Sequence, residues 1–498
     1  MSLLGLDVGT TGCKAYAFNL AGQVIASASR DYPRLYPKPG WVEIDPDLFL
    51  RVVDEVVTEC ADQTRADPIR AIGLSTLGAV LAAIDRDARP IVNPIGSTDN
   101  RAGQEIAWWR AQIPLEELYA ITGTPILPNT ALYRILWLQR HKPDVYERAW
   151  KFVTAIELVA AHLGAEVVVD RATASTMNMY DLKADAWSDV ILAKAGIERD
   201  KLPPIVPAGA AIGQVRADLA ALPGIAPNAC IVSGGMDQQV AAFGAGLLHP
   251  GIATDSLGTV ECITTAFEQP RFAPGLLRNH YSNILHVYGG LTTCMAYNFT
   301  SGDMVRWYLR TFDDQGEPPS PESFARAWAT MPEAPSDVLV LPHLPGSGTP
   351  WLDQASRGAI AGLRLDTTRR DIFKGLMDCQ NYEMRLNLEI WREHGMRVER
   401  LRSYGGGARD DKALQLKADI LEMEVARLAL GEAGCVGAAA LAGLGAGLFA
   451  EPTGWLNLTV KEETVFTPNP RWAETYREKF ALYRDLYPAL RPIHHRCP

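Results

Sequence analysis

Three glycine-rich turns hold the residues best suited to chemistry in this chain: Gly9-Thr10-Thr11-Gly12, Gly258-Thr259 and Gly405-Gly406-Gly407-Ala408. Glycine lets backbone amides approach a phosphate closely, and threonine adds a hydroxyl donor. Asp7 stands just before the first turn, where a carboxylate can hold a magnesium ion directly or through water. Lys14 follows it, placed to screen phosphate charge. None of the turns has P-loop spacing, which argues against an ordinary P-loop hydrolase. Each turn alone has a plain structural reading as well. Asp237 is the sharper candidate, because it follows Gly234-Gly235-Met236 at the end of an apolar strand and begins a helix. A carboxylate there can accept the proton of an attacking hydroxyl in phosphoryl transfer. Aspartate also favours helix N-caps, and the residue type alone leaves both readings open.

The elements that must position these residues read as strand-turn-strand units. Leu3, Leu4 and Leu6 lead into the first turn, Ala15, Ala17 and Phe18 leave it, and Asn19-Leu20-Ala21-Gly22 signals a hairpin to a third strand. Asp45-Pro46 is a helix start for residues 47–61. Strands are expected at 71–77 and 80–85, and a helical stretch at 105–120 that Pro114 breaks. The region 121–222 alternates helices with proline turns, and a strand at 229–233 ends at Gly234. The second half restarts in the same style, with strands at 252–255 and 260–265 around Ser256-Leu257-Gly258-Thr259. Asp7-Val8-Gly9-Thr10 occupies the comparable place in the first half, which suggests a duplicated architecture.

At 498 residues the chain calls for two domains or three. Its 47% hydrophobic and 21% charged residues are ordinary globular composition. A formal net charge of -10 argues against a broad nucleic-acid or anionic-membrane footprint, which needs a basic surface. No secretory signal pattern opens the sequence. The uncharged run 436–449 is too short to span a bilayer and reads as a buried helix. Eight cysteines at 13, 60, 230, 262, 294, 379, 435 and 497 form neither a disulfide framework nor a zinc site. They read as small reduced core residues, Cys13 included.

DVGTTGCK, GGMDQQVAAFGAG, SLGT and GGGAR, in this order, resemble the FGGY family of carbohydrate kinases. GWVEIDP at 40–46 and LPHLPGSGTP at 341–350 also look like that family, so the resemblance covers nearly the whole chain. GGGARDDKALQLKAD, with its spacing to Gln415 and Asp419, is most similar to the xylulose kinase branch. The resemblance implies an α/β fold of two actin-like (ribonuclease H-like) domains with a cleft between them. The N-terminal domain, 1–246, would be the sugar and phosphate side, and the C-terminal domain, 247–498, the nucleotide side. It implies ATP and Mg2+, Asp237 as the base and Asp7 serving the metal. Gly9, Thr10, Thr11 and Lys14 would meet the transferred phosphoryl group, and Gly258 and Thr259 would form the second phosphate loop. Gly302, Arg306, Gly407, Ala408 and Asp410 would line the nucleotide pocket, with Arg409 at its edge. Gly78, Ala79, Asp99, Arg101, Asp237 and Gln238 would stand at the sugar.

Several residues depart from the family pattern. Leu77-Gly78-Ala79-Val80 stands where the xylulose kinase branch has Gln-Met-His-Gly, and Ser97-Thr98-Asp99-Asn100-Arg101 lacks the usual tryptophan. Val260 and Asp410 each replace a frequent serine. The expected activity is therefore ATP-dependent phosphorylation of a hydroxyl of a small sugar or polyol, with a sugar other than xylulose left open. The expected setting is the cytoplasm, with no nucleic-acid or membrane partner and with a homodimer compatible. A nucleotide-binding actin-like sugar sensor without kinase activity is the alternative.

Overall fold

The computed structural model of the chain describes residues 1–312 and 319–496. Two mixed sheets organise it. The first takes β1 (Ser2–Val8), β2 (Gly12–Asn19), β3 (Val24–Asp31), β4 (Ile69–Thr76), β5 (Ala211–Gln214) and β6 (Ile225–Met236), in the spatial order β3-β2-β1-β4-β6-β5. The second takes β7 (Gly251–Leu257), β8 (Glu261–Phe267), β9 (Ile284–Leu285), β10 (Thr292–Asn298), β11 (Val398–Tyr404), β12 (Glu424–Ala429) and β13 (Lys461–Phe466), in the order β9-β10-β8-β7-β11-β12-β13.

The two orders repeat one plan. In each sheet the first three long strands form an antiparallel meander, β1-β2-β3 and β7-β8-β10. Two more strands then add parallel beside the first, β4-β6 and β11-β12. An antiparallel strand, β5 or β13, completes the far edge. The duplicated strand-turn-strand units read in the sequence are thus the heads of two sheets of the same topology. Parallel pairing demands crossovers, and helices provide them.

Helix α1 (Pro46–Gln63) is capped by Asp45, whose carboxylate accepts from the amides of Asp47 and Leu48 at 3.1 Å each. Its buried face, Phe49, Val52, Val53, Val56, Val57 and Cys60, covers the first sheet with Leu4, Leu6, Ile72 and Leu74. The helical stretch expected over 105–120 is two short helices, Gly103–Trp109, which ends before Pro114 is reached, and Leu115–Thr122, which Pro114 opens. Helix α2 (Asp237–Gly244) begins at the end of β6. Helices α3 (Gly302–Phe312), α4 (Arg369–Glu393) and α5 (Asp411–Leu421) belong to the second half.

Residues 436–445 of the uncharged run lie in α6 (Ala433–Gly445), which is buried from Ala433 to Gly443, whereas 446–449 lie beyond the helix and are half-buried or exposed. Although it follows β12 in sequence, α6 packs on the first sheet with Leu3, Val232, Val240 and Phe243. Small residues on both surfaces allow the approach. The seven described cysteines are unpaired, and Cys497 lies outside the described residues. Among the described residues, no helix is long and apolar enough to cross a membrane.

Candidate functional site

The turn at residues 9–11 joins β1 to β2. Gly9 N donates to Gly12 O at 2.8 Å, Tyr32 N donates to Thr11 O at 3.0 Å, and the Tyr32 hydroxyl donates to Gly9 O. These bonds fix the backbone and leave the Thr10 and Thr11 hydroxyls without a partner among the described residues. Cys13, just beyond, is buried, and burial pushes its thiol well up, which removes it as a nucleophile.

Asp7 lies beside Ser75 because β1 and β4 run parallel in that register. Ser75 Oγ donates to Asp7 Oδ1 at 2.5 Å. The first turn of α6 closes the other side: a Cβ on Gly434 would stand 2.8 Å from Asp7 Cγ and 2.9 Å from both carboxylate oxygens. Glycine alone lets that helix end come so close, and a helix N-terminus favours a negative charge. Burial raises the Asp7 carboxyl to about 6, with the Ser75 bond and Lys14 opposing and the Glu432 charge adding. Lys14 Nζ pairs with Glu432 Oε1 at 2.8 Å. Burial pulls the Lys14 ammonium down, but the Glu432 bond carries it above its ordinary value.

Asp237 is the first residue of α2, and Met236 occupies the cap position without a side-chain bond. Asp237 Oδ1 accepts from the adjacent Gln238 N at 2.7 Å. It reaches no amide further into the helix, so its geometry is not that of an N-cap. Burial first, and the Asp7 charge second, raise its carboxyl to about 7, with the Gln238 amide opposing. Residues 7 and 237 are therefore electrostatic neighbours. The Asp237 charge also disfavours ionisation of Cys262 and Tyr404, on β8 and β11. Asp237 thus sits where the first sheet's strand ends meet the second sheet.

The second turn is exposed, with Gly258 N donating to Val260 O at 3.0 Å. Ser301 N donates to Thr259 O at 3.0 Å and Gly302 N to Gly258 O at 3.1 Å, which sets the start of α3 against this turn. Arg306 pairs with Asp303 at 2.7 Å on the surface of α3. The third turn leans on the end of β7: a Cβ on Gly407 would stand 3.0 Å from Leu257 Cβ. Ala408 is buried, its carbonyl held by Arg427 Nε at 2.9 Å. Asp410 caps α5 through the amides of Lys412 at 2.9 Å and Ala413 at 3.3 Å, next to the exposed Arg409. Gln415 Nε2 donates to Asp419 Oδ1 and to Thr467 O at 2.8 Å each, so that pair ties α5 to the chain leaving β13.

Of the residues expected at the sugar, Gly78 lies against Met236, whose Sδ would be 2.2 Å from a Cβ at Gly78. Ala79 holds a left-handed φ of 57°. The loop is clamped by the buried Arg134, which donates to Ala79 O and, at 3.0 Å, to Ser97 O. Burial lowers Arg134 to about 10, with Asp99 opposing. Asp99 and Arg101 are brought together with each other: Arg101 Nε donates to Asp99 Oδ1 at 2.9 Å and Nη2 to Asp99 Oδ2 at 2.8 Å. Val42 N at 2.6 Å and Glu43 at 2.9 Å complete that network, and the guanidinium lies 3.9 Å from the Trp41 ring centre. Gln238 keeps its side-chain amide unpartnered among the described residues.

A model of the FGGY family of carbohydrate kinases, N-terminal domain, matches residues 2–244, and its C-terminal domain model matches residues 253–446. The chain belongs to the FGGY family of carbohydrate kinases. This FGGY kinase is 26% identical over 487 residues to a xylulose kinase of Bacillus subtilis, covering 97% of this chain and 96% of that protein. It is 30% identical over 470 residues to a glycerol kinase of Methylibium petroleiphilum, covering 90% and 91%. The crystal structure of xylulose kinase from Rhodospirillum rubrum superposes with a TM-score of 0.90 at 26% identity, over 100% of both chains. The two sheets of this carbohydrate kinase are those of the actin-like two-domain fold.

Four side chains or positions around the candidate site escape a reading of the sequence: Ser75, Arg134, Glu432 and Gly434. Ser75 is one more polar residue at a strand end. Arg134 sits in a helix, Ala131–His141, whose apolar neighbours give no hint of a buried cation. Glu432 and Gly434 precede the uncharged run, and a helix start rich in glycine was the available signal.

Proposed function

We propose that this kinase transfers the γ-phosphoryl group of ATP to a hydroxyl, a primary one, of a small ketose or polyol such as a ketopentose. The observation that supports it most is the carboxylate of Asp237, half-buried, bonded at one oxygen only, and adjacent to Asp7 and the first glycine turn. Asp237 takes the proton of the acceptor hydroxyl as its oxygen bonds to the γ-phosphorus. The bond from that phosphorus to the bridging oxygen breaks, and ADP leaves with the electron pair. Amides and hydroxyls at Gly9, Thr10 and Thr11, with Lys14, stabilise the charge on the group in flight. Gly258 and Thr259 hold the phosphates from the other side, while Gly302, Arg306, Gly407, Ala408 and Asp410 frame the nucleotide.

Asp7 fits a divalent cation in its donor chemistry, since Ser75 engages one oxygen and leaves the second free. Mg2+ bound there with ATP supplies charge neutralisation on the phosphates. Among the described residues no three His, Cys, Asp or Glu side chains gather into a metal cluster. A single carboxylate, waters and phosphate oxygens match the ordinary octahedral taste of that ion.

At the sugar, Gln238 offers an unpaired amide, whereas Gly78 and Ala79 offer backbone and apolar surface. Asp99 and Arg101, bonded to each other, to Val42 N and to Glu43, fix the segment that Arg134 ties to Ala79 through Ser97 O, and act on the substrate through that tie. We assign the sugar and phosphate work to 1–246 and the nucleotide work to 247–498, with α6 reaching across, and place the enzyme in the cytoplasm.

The test is ADP release from ATP and Mg2+ across ketopentoses, ketohexoses, tetruloses, polyols and glycerol. One acceptor that multiplies the rate supports the reading; ADP release indifferent to every acceptor contradicts it. A second expectation concerns Gly434. Alanine there must displace the Asp7 carboxylate, so Gly434→Ala should lower kcat by about tenfold to a hundredfold. An unchanged kcat would detach Asp7 from the reaction.

A further inference from the structure

We infer that Lys417 is a positioning residue that locks the two nucleotide-side turns to one another. Lys417 lies on α5, directly after the turn at 405–408, and its side chain is 3% exposed. Its ammonium stands 3.2 Å from Asp255 Oδ2 and contacts Glu261 Oε1, and both carboxylates are fully buried. Asp255 is on β7, the strand entering the turn at 258–259, and Glu261 is on β8, the strand leaving it. One cation thus bonds the strand before one turn, the strand after it, and the helix that follows the other turn.

Two further side chains extend the lock. Ser403 Oγ on β11, the strand that feeds the turn at 405–408, donates to Asp255 Oδ2 at 2.8 Å. Gln380 on α4 donates to Glu261 Oε2 at 2.6 Å and to Ser301 Oγ at 3.0 Å. Ser301 N in turn donates to Thr259 O at 3.0 Å, so the chain of bonds ends on the turn itself.

Stability alone is a poor reason for this arrangement. Burying an ammonium with two carboxylates carries a desolvation cost that attraction only offsets, and apolar side chains of similar volume hold a fold as well or better. What apolar packing does not supply is direction. Bonds at fixed angles from one ammonium set the relative height of two turns whose amides must meet the same nucleotide, where a displacement of an ångström is costly.

The inference rests on the nucleotide reading of these turns, and its test separates the two. Two variants are compared with wild type: Gln380→Met, which cuts the branch to Ser301, and the triple variant Lys417→Met, Asp255→Asn, Glu261→Gln, which leaves no lone charge buried. The measurements are KM for ATP, KM for the acceptor, kcat, melting temperature, and ADP binding by calorimetry. Both variants should raise KM for ATP and Kd for ADP by about tenfold, with acceptor KM within about twofold of wild type. Nucleotide constants equal to wild type in both variants overturn the inference and leave a structural ion cluster. If the triple variant does not fold, Gln380→Met decides alone. Wild type that neither binds ADP nor uses ATP would remove the functional proposal, which is a different failure.

Discussion

Asp237→Asn is expected to lower kcat by about a thousandfold, within the usual range for a lost general base, while ADP binding stays near wild type. Asparagine keeps the shape of the side chain and its bond from the Gln238 amide, so the helix start is undisturbed. What disappears is the oxygen able to take a proton. The wild-type pH profile of kcat/KM should show the same group: the base works only when ionised, and burial with the Asp7 charge places its carboxyl at about 7. The rate should climb with pH up to that region and flatten above it. The residual rate of Asp237→Asn should lack that limb.

The stability of the two proteins gives an independent sign. A carboxyl raised from 3.8 to about 7 in the folded protein is held there by the cost of its charge. Its contribution is fully present below pH 3.8 and lost as pH rises through 7. Asp237→Asn carries no such loss, so it should be more stable than wild type at pH 8. The difference should vanish near pH 4. Equal stability at both values would say that the site does not strain this carboxylate.

Asp7→Asn is the second large effect, expected at about a hundredfold or more in kcat, with a raised requirement for Mg2+. The same change should alter Asp237. Removing the Asp7 charge takes away the second cause that raises Asp237, so the acid limb of kcat/KM moves to lower pH. It should remain above the ordinary carboxylate range, because burial is the first cause and persists. A limb that stays put would mean the two carboxylates are not neighbours during turnover. Gly434→Ala should fall between wild type and Asp7→Asn, since it displaces Asp7 without removing it.

Much of this was open to a reading of the sequence. The apolar alternation around the residue 9–12 turn, and its echo around 258–259, announce two strand-turn-strand heads because period-two patterning and glycine turns are local properties. Asp237 stood out for the same reason, at a glycine-marked strand end. The contacts that tune these residues are not local. Ser75 meets Asp7 through a parallel register, which no neighbouring residue encodes. Gly434 reaches Asp7 because α6 crosses from the second half to the first sheet, and the sequence shows only that α6 is apolar. Lys417 looks like one polar residue of an amphipathic helix until β7 and β8 bring Asp255 and Glu261 under it. Asp99 and Arg101 drew attention through the family resemblance, which would put them at the sugar. Folding turns them on each other, on Glu43 and on the Val42 amide, which composition and spacing do not foretell.

The central claim is that Asp237 takes a proton from a sugar or polyol hydroxyl as that hydroxyl receives the γ-phosphoryl group. The most direct measurement is acceptor-dependent ADP release at pH 8 by wild type and Asp237→Asn side by side, using the best acceptor from the panel. The account predicts that wild type forms one phosphorylated acceptor per ADP, and that Asp237→Asn binds ADP but turns over about a thousandfold more slowly. Turnover by Asp237→Asn at the wild-type rate, or wild-type ADP release that ignores the acceptor, would contradict it.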